Sequence, residues 1–305
     1  MSKYYWGVDL GGTKIECAVM QYDDDHCVLR KRLPTEGGKG YQHVLGQIKK
    51  LIDLCIQDVD ECPAMVGFGT PGTLDPATGT MKNCNSTHLN DQALDKDLES
   101  LLGIPVRLAN DANCFALAEA RLGAVQDIKP DAEVVFGIIM GTGVGSGIVV
   151  NGKVLNGCHG IAGEWGHNVL EANGASCYCG KQGCVETVLS GKGLERYYRE
   201  QSDSSDACSL SLPEIVALAE QGDDVALATI NRLHKQFGVA VASIINVLDP
   251  DVIVVGGGVG NIESLYSEGR KAILPHLFNP ELNTVLAKPA LGDSAGVFGA
   301  AMLVK

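Results

Sequence analysis

Short apolar runs alternate with glycine-rich turns along this chain. Two such runs flank the turn Gly11–Lys14, and the pattern predicts a β-hairpin over residues 5–20. A second pair of runs, within residues 134–150, flanks the turn Gly141–Gly147. Because each pair opens one half of the chain and both have the order strand, Gly/Thr turn, strand, we interpret them as an internal repeat.

The spacing of apolar residues predicts helices between and after these hairpins. In His43–Gln57 apolar residues recur every three or four positions, as on one face of an amphipathic helix. The segment Val252–Val255 is predicted to be a buried strand, and the acidic run Gln201–Cys208 a surface loop. Further helices are predicted at 190–200, 223–247 and 292–304.

The composition bounds the class of protein. With 305 residues, 45% of them hydrophobic, the chain is long enough for two domains with good cores. A net charge of −13 argues against a nucleic-acid surface, and no apolar run is long enough to cross a membrane. Eleven cysteines without a signal-peptide pattern predict a cytoplasmic protein that carries a metal site rather than disulfides.

Asn110 and Asp111 lie where an apolar strand ends and a helical pattern begins. A carboxylate at this position is stabilised by the free N–H groups and the positive end of the helix. One interpretation is a helix cap. The other is that Asp111 faces a cleft and accepts a proton from a substrate hydroxyl. The local pattern leaves both interpretations open.

Two glycine-rich turns and one loop suit ligands. The backbone of Gly11–Gly12 can approach a phosphate, and Thr13 and Lys14 add donors, although Gly-Gly hairpins are also common for steric reasons. The run Gly256–Gly258 leaves backbone open beside a base or ribose. Residues 71–90 are rich in Gly, Pro, Asn and Thr, which fits a binding loop for a polyhydroxylated ligand or an ordinary surface loop.

One histidine and three closely spaced cysteines indicate a metal site. These residues are His167, Cys177, Cys179 and Cys184. Such a Cys3His set is a strong zinc pattern in a cytosolic chain, and the alternative is a group of reduced cysteines without a metal. Four protein ligands leave zinc no open position, so the site is predicted to be structural and to fix the neighbouring Glu164 and Glu186.

These segments together resemble the ROK family of repressors and sugar kinases, within the actin-like ATPase superfamily. The markers are Asp9–Lys14, Asn110–Asn113, Gly141–Gly145, Glu164–His167 and Cys177–Glu186, and they span almost the whole chain. The resemblance implies an α/β fold of two ribonuclease-H-like domains, with ATP and a hexose in the cleft between them, and usually a homodimer. The expected domains are residues 1–110 plus 292–305, and residues 111–291 with the zinc-binding loop.

The resemblance also implies the role of each matching residue. Asp111 is expected to be the general base, with an ordinary carboxyl pKa of about 3.9, and Asp9 an acidic partner of Mg²⁺. The expected sugar-binding residues are Gly72, Thr73, Ser86, Thr87, Asn110, Asp111, Glu164, His167 and Glu186. The expected ATP-binding residues are Asp9, Gly11, Gly12, Thr13, Lys14, Thr142, Gly143, Gly256, Gly257 and Gly258.

Within the family, residues 82–90 and 292–301 look most like bacterial fructokinases of the manno(fructo)kinase type. The resemblance therefore implies transfer of the γ-phosphate of ATP to the 6-hydroxyl of fructose, with mannose as a second substrate. The alternatives are a glucokinase or an N-acetylglucosamine kinase, which share the core motifs. A sugar-sensing repressor is disfavoured because the first hairpin begins almost at once, with Asp9, and because the chain is acidic.

Overall fold

The computed structural model describes residues 2–202 and 210–305, so most of the predicted loop Gln201–Cys208 lies outside the described residues. The chain forms two compact units. The first unit comprises Met1–Gln126, Gly147–Ala162 and Ala290–Lys305, and the second comprises Asp127–Ser146 and Gly163–Pro289. These bounds differ from the expected domains because residues 111–126, 147–162 and 290–291 fall in the first unit.

Both units are built on mixed β-sheets with helices, which confirms the α/β fold class. The described strands are β1 (Tyr4–Leu10), β2 (Lys14–Gln21), β3 (Cys27–Pro34), β4 (Val66–Thr70), β5 (Thr73–Leu74), β6 (Met81–Lys82), β7 (Val106–Asn110), β8 (Val134–Met140), β9 (Val144–Val150), β10 (Lys153–Val154), β11 (Val252–Gly256) and β12 (Val285–Ala287). The described α-helices are α1 (Tyr41–Val59), α2 (Leu94–Leu102), α3 (Asp111–Arg121), α4 (Ala124–Ile128), α5 (Val185–Leu189), α6 (Gly191–Gln201), α7 (Leu212–Glu220), α8 (Asp224–Leu248), α9 (Arg270–Ile273) and α10 (Ala295–Met302).

The two larger sheets repeat the same strand order, which confirms the internal repeat. Within the described residues, one five-stranded sheet has the order β3-β2-β1-β4-β7 and the other the order β10-β9-β8-β11-β12. In the first sheet β1, β4 and β7 are parallel, while β2 and β3 are antiparallel to their neighbours. The second sheet matches it, because β8, β11 and β12 are parallel and β10 is antiparallel to β9.

Strand β1 shows how side-chain alternation places helices on both faces of the first sheet. Trp6 and Val8 belong to the core that α1 closes with residues such as Ile48. Gly7, which points to the other face, lies against α10, where a Cβ on it would approach the backbone nitrogen of Ala301 to 2.2 Å. Asp9 follows Gly7 by two residues and therefore shares the α10 face.

A buried carboxylate ties the end of the chain into the first unit. Glu119, on α3, is fully buried and accepts hydrogen bonds from the backbone N–H groups of Ala124, Ala290 and Leu291, at 2.9–3.0 Å. A buried charge requires such partners, since an unpaired one is costly. This contact directs the chain into α10, which packs on α3, β1 and β4.

The predicted helices and strands are confirmed apart from two details. Strand β9 begins at Val144, so the second glycine-rich turn is only Gly141–Gly143. The predicted loop 71–90 contains the small β5–β6 hairpin and a 3₁₀ turn at Thr87–Leu89. Within the part of the chain that is described, no helix combines the length and apolar character that a membrane span requires.

Candidate active site

The candidate site in the first unit lies at the carboxyl ends of parallel strands. Asp9, near the end of β1, pairs with Gly69 of β4, which in turn pairs with Ala109 of β7. Asn110 ends β7 and Asp111 begins α3. Ligands of open α/β sheets bind at this edge. The fold thus brings the two aspartates of the predicted site to one edge of one sheet.

Electrostatic interaction between these carboxylates is evident at Asp9. Burial, together with the charges of Asp111 and Glu16, raises the pKa of Asp9 to about 6, and the charge of Lys14 opposes this rise. A carboxylate whose ionisation is opposed by burial and by neighbouring acids is stabilised by a bound cation. This edge therefore fits the predicted magnesium partner.

Asn110, rather than Asp111, caps helix α3. The Asn110 side chain accepts a hydrogen bond from the backbone N–H of Asn113 at 2.8 Å. Asp111 occupies the first helical position, where one carboxylate oxygen accepts from the N–H of Ala112 at 2.8 Å. Asp111 is therefore not needed to cap the helix. The role of Asp111 as a general base remains a prediction.

The pKa of Asp111 was expected to be ordinary, but it is raised. Desolvation by the surrounding protein raises the pKa of Asp111, and the hydrogen bond from Ala112 opposes this rise. Because the Asp111 side chain is exposed, water offsets part of the desolvation. A base whose pKa moves toward the operating pH is better matched to proton transfer.

The first glycine-rich turn carries a charge cluster that sequence reasoning missed. Glu16, on β2, is opposite Asp9 of β1 and opposite Arg32 of β3. Its side chain is 1% exposed. It pairs with Arg32 at 2.8 Å, with Arg30, and with Lys14 at 3.7 Å. Lys14, a predicted phosphate donor, is therefore held by a buried acid. The strand register that creates this cluster is visible only in the folded sheet.

The predicted sugar-binding loop, residues 71–90 (the sugar loop), is attached to the edge formed by the carboxyl ends of β1, β4 and β7. The hydroxyl of Thr70 donates to the carbonyl oxygens of Gly72, at 2.9 Å, and of Ala109, at 3.2 Å. The Ser86 hydroxyl lies only 3.6 Å from where a Cβ on Gly12 would be, so the sugar loop reaches the first glycine-rich turn. Thr70 was not predicted, although it is a buried hydroxyl at a strand end.

In the second unit, two predicted nucleotide segments meet. Gly257 has a φ of +79°, and a Cβ on it would lie 2.4 Å from the carbonyl oxygen of Met140. The run Gly256–Gly258 thus packs directly on the turn Gly141–Gly143. Thr142 is exposed at the tip of this turn. The backbone of both segments is available to a phosphate or ribose.

A buried tryptophan anchors the segment Glu164–His167 of the second unit. Trp165 stacks edge-on against Phe136 with ring centroids 6.0 Å apart, and its indole N–H donates to the carbonyl of Ala240 at 3.3 Å. The 3₁₀ turn Trp165–His167 is therefore anchored in the core. Glu164 and His167 flank this anchor on either side.

The four predicted metal ligands converge. The ligand atoms of His167, Cys177, Cys179 and Cys184 all lie within 4.8 Å of one another. The Cys179 and Cys184 sulfurs are 3.6 Å apart, and the Cys177 sulfur is 3.5 Å from Nδ1 of His167. A tetrahedral zinc with Zn–S bonds of about 2.3 Å separates its thiolates by about 3.8 Å. The donor set therefore fits zinc, which stays a prediction.

Tyr178 is a second residue that sequence reasoning missed. Its hydroxyl lies 3.0 Å from Nε2 of His167, and the two rings are in edge-to-face contact at 5.0 Å. Desolvation by neighbouring groups, together with the charges of Glu186 and Glu164, raises the pKa of Tyr178 to about 12. Tyr178 thus lies among the predicted sugar-binding groups of this unit. Its position inside the Cys-Tyr-Cys sequence was the available signal.

The predicted site residues are divided between the units. The first unit holds the Asp9–Lys14 segment, Gly72, Thr73, Ser86, Thr87 and the Asn110–Asp111 pair. The second holds Thr142, Gly143, Glu164, the metal set, Glu186 and the Gly256–Gly258 segment. Each role remains a prediction, and each unit brings its own members together.

Comparison with known proteins identifies relatives along the whole chain. A family model described as "ROK family" matches residues 5–305. An N-acetyl-D-glucosamine kinase of Yersinia enterocolitica is 36% identical over 311 residues, covering 98% of each protein. The N-acetyl-D-glucosamine kinase of Pasteurella multocida is 36% identical over 309 residues with the same coverage.

Solved structures give the same assignment. A ROK hexokinase from Thermus thermophilus has a TM-score of 0.85 and 32% identity, over 98% of this chain and 97% of that one. A ROK glucokinase from Streptomyces griseus, solved with glucose and AMPPNP, has a TM-score of 0.77 and 28% identity, over 98% of both chains. With its matching sheets, converging cysteines and end-to-end similarity, the chain belongs to the ROK family.

Proposed function

We propose that this protein is an ATP-dependent kinase that phosphorylates N-acetyl-D-glucosamine at its 6-hydroxyl. The observation that carries the proposal is the 36% identity to N-acetyl-D-glucosamine kinases over 98% of the chain. This finding favours the alternative substrate of the sequence analysis over fructose, for which the comparisons give no support. The kinase class and the ATP requirement follow from the same relatives.

The proposed reaction uses the first unit for proton and phosphate handling. Asp111 orients the sugar hydroxyl and takes its proton as the bond to phosphorus forms. The transition state of phosphoryl transfer is loose, so positioning and charge neutralisation contribute more than a strong base. Lys14, held by Glu16 at 3.7 Å, directs its ammonium group to the phosphates. Magnesium, when bound, neutralises phosphate charge, and Asp9 is the residue that would hold it.

The second unit is proposed to bind the rest of both substrates. Glu164, His167 and Glu186 would hold sugar hydroxyls, and the glycine segments Gly141–Gly143 and Gly256–Gly258 would hold the nucleotide. His167 can serve both metal and sugar, because its Nδ1 faces Cys177 while its Nε2 faces away toward Tyr178. Zinc, when bound, would supply structural stability only, since four protein ligands leave no open position.

A coupled assay of ATP consumption tests the substrate. We expect kcat/KM for N-acetylglucosamine to exceed that for fructose, mannose and glucose by at least about tenfold, or about 1.4 kcal/mol of transition-state binding. A tenfold preference for fructose would restore the original substrate prediction and leave the kinase class intact. Sugar binding without ATP turnover would contradict the kinase proposal and favour a sugar-sensing regulator.

We also keep the homodimer as a proposal. Phe278 and Val247 of the second unit are 98% and 89% exposed, and apolar side chains that form one exposed patch mark a contact surface. Asn246, the neighbour of Val247, accepts a hydrogen bond from the backbone N–H of Phe278 at 2.9 Å, so the two segments that carry these side chains are in contact. Light scattering of the purified protein should give twice the chain mass, and Phe278→Ser should reduce it to that of one chain.

A further inference from the structure

Glu186 contacts two different features of the second unit with its two carboxylate oxygens. Oε2 accepts a hydrogen bond from the backbone N–H of Val144 at 3.0 Å, directly after the turn Gly141–Gly143. Oε1 lies 3.9 Å from the sulfur of Cys177, one of the four metal-site residues. The predicted nucleotide turn and the cysteine–histidine cluster are therefore joined through one side chain.

The same segment supports the turn at a second point. The backbone N–H of Gly191, at the start of α6, donates to the carbonyl of Gly141 at 2.8 Å. The fit around Glu186 is tight, because a Cβ on Gly143 would lie only 2.5 Å from Oε2. The backbone at the two ends of the turn, at Gly141 and at Val144, is thus held by Gly191 and Glu186, which are only five residues apart in the sequence. Movement of this segment would move the turn.

The segment starts at the metal site. Cys184 immediately precedes α5, and the N–H of the next residue, Val185, donates to the carbonyl of Asn168 at 2.9 Å. Asn168 is the neighbour of His167, so both anchors of the first turn of α5 adjoin metal-site residues. A helix of five residues is not stable by itself and depends on such anchors. Glu186 lies in this first turn.

We propose that Glu186 is a positioning residue that couples metal occupancy to nucleotide affinity, by fixing the Gly141–Gly143 turn from the metal-binding loop. The inference rests on the proposed function in one respect, which is that this turn binds ATP. A metal that joins His167, Cys177 and Cys184 fixes the start of α5 and keeps Glu186 on Val144. Without the metal the start of α5 is no longer fixed. The Gly141–Gly143 turn then no longer holds its backbone N–H groups in one arrangement.

The test is the dissociation constant of Mg-AMPPNP, measured by calorimetry without sugar. Metal-loaded wild type is compared with protein depleted by a chelator, with circular dichroism as the check on folding. We expect about tenfold weaker binding after depletion. Loaded Glu186→Ala should bind about tenfold more weakly than loaded wild type and change less than twofold on depletion. Equal affinity of loaded and depleted folded wild type would overturn the coupling.

Glu164→Ala is the matched control, because Glu164 is the other acid predicted to bind sugar beside the metal cluster. It should keep the tenfold response of nucleotide affinity to the metal. A double-mutant cycle adds a second test, since Gly143→Ala should weaken nucleotide binding in wild type and cost much less in Glu186→Ala, where the clash is gone. If the losses of nucleotide affinity from Gly143→Ala and Glu186→Ala simply add, a direct contact between the two positions is contradicted.

A further measurement keeps the inference testable if depletion unfolds the protein. Hydrogen exchange of the Val144 amide is compared between loaded wild type and loaded Glu186→Ala, at equal zinc content. Exchange at least tenfold faster in the variant supports the coupling, and equal exchange together with equal nucleotide affinity overturns it. If loaded wild type binds no Mg-AMPPNP, the kinase proposal itself fails. If it binds normally but Glu186→Ala does too, only the present inference fails.

Discussion

The two hairpins that open the two halves of the chain share a frame and differ in what surrounds the turn. In the first, β1–β2, the turn is bordered by charged residues, with Asp9, Lys14 and the buried Glu16 on adjacent strands. In the second, β8–β9, the turn Gly141–Gly143 carries no charge and is held by Glu186 and Gly191 from a following segment. The repeated topology therefore fixes where a ligand can approach, whereas the added side chains decide the chemistry.

This difference indicates a division of labour between the units. Ionisable groups at the strand ends of the first unit can hold a cation and move a proton. Backbone N–H groups of the second unit can bind phosphate only if their geometry is maintained from outside. The first turn is thus expected to be sensitive to charge substitutions, and the second to loss of its supporting loop.

Removing the base should give the largest effect. Asp111→Asn keeps the shape of the side chain but cannot take a proton, so kcat should fall by roughly 10²-fold or more without unfolding. Steady-state kinetics with thermal denaturation as a folding check would measure this. Asp224→Asn is a matched control, because Asp224 also follows a capping residue in the first turn of a helix. A well-folded Asp111→Asn enzyme with near-normal kcat would leave Asp111 no catalytic role.

Loss of the metal site should affect the second unit most. Purified protein should contain about one zinc per chain, and Cys179→Ser should lose it and lower Tm by about 5–10 °C, since a few kcal/mol of metal binding supports the loop. Elemental analysis and calorimetry measure the two effects. Cys158→Ser, at an exposed cysteine of the first unit, should change neither. Full stability and activity in zinc-free protein would contradict the structural role.

The charge cluster of the first unit should appear in the pH dependence of stability. The pKa of Asp9 rises from 3.8 to about 6 on folding, so the folded state binds more protons and loses stability as pH increases through this window. Asp9→Asn removes this penalty. It should stabilise the ligand-free protein by about 1–3 kcal/mol at pH 8, and by little at pH 4.

Urea denaturation at both pH values measures the Asp9 effect. Asp23→Asn, at an exposed aspartate next to β2, is the control and should show no such pH dependence. Equal destabilisation of Asp9→Asn at both pH values would mean that the Asp9 carboxylate is not under electrostatic strain. The same variant is expected to lose activity, because Asp9 is the residue proposed to hold magnesium.

The smallest effect is expected at Tyr178. Tyr178→Phe keeps the ring beside His167 but removes the hydroxyl at 3.0 Å from its Nε2. One hydrogen bond is worth about 1 kcal/mol, so metal affinity and KM for the sugar should each change by roughly fivefold. Chelator competition and steady-state kinetics measure this. Tyr197→Phe, on α6 of the same unit, is the comparison, and identical behaviour of the two variants would exclude a role for the Tyr178 hydroxyl.

The sequence predicted best what depends on local order. The hairpins and helices follow from hydrophobic period, and the cysteine spacing predicted a cluster because the four ligands lie within 18 residues of each other. The charge cluster of Glu16 could not be predicted, because Arg30 and Arg32 reach it only through strand register. The raised pKa of Asp9 likewise depends on the fold, because it is caused by burial and by the charge of Asp111, which is distant in the sequence.

The fructose prediction is not supported by the comparisons, in which the relatives named above are N-acetyl-D-glucosamine kinases. Residues 82–90 and 292–301 suggested fructose, yet both segments contribute to folding. Asn90 bonds the backbone N–H and carbonyl of Cys84, at 2.9 and 3.3 Å, and thereby closes the loop on itself. Residues 295–301 form most of α10, which packs on α3, β1 and β4. Similarity in these segments can therefore reflect loop shape and helix packing as well as sugar identity.

The hydrogen bonds of Glu119 have a consequence for biosynthesis. The first unit includes Ala290–Lys305, so it is completed only when the ribosome has made these residues, after the whole second unit. At about 5–20 residues per second, the roughly 160 residues between Gln126 and Ala290 take about 8–30 s. During this interval Glu119 lacks two of its three backbone donors. The nascent first unit therefore lacks α10 and stays incompletely folded until this helix has been synthesised.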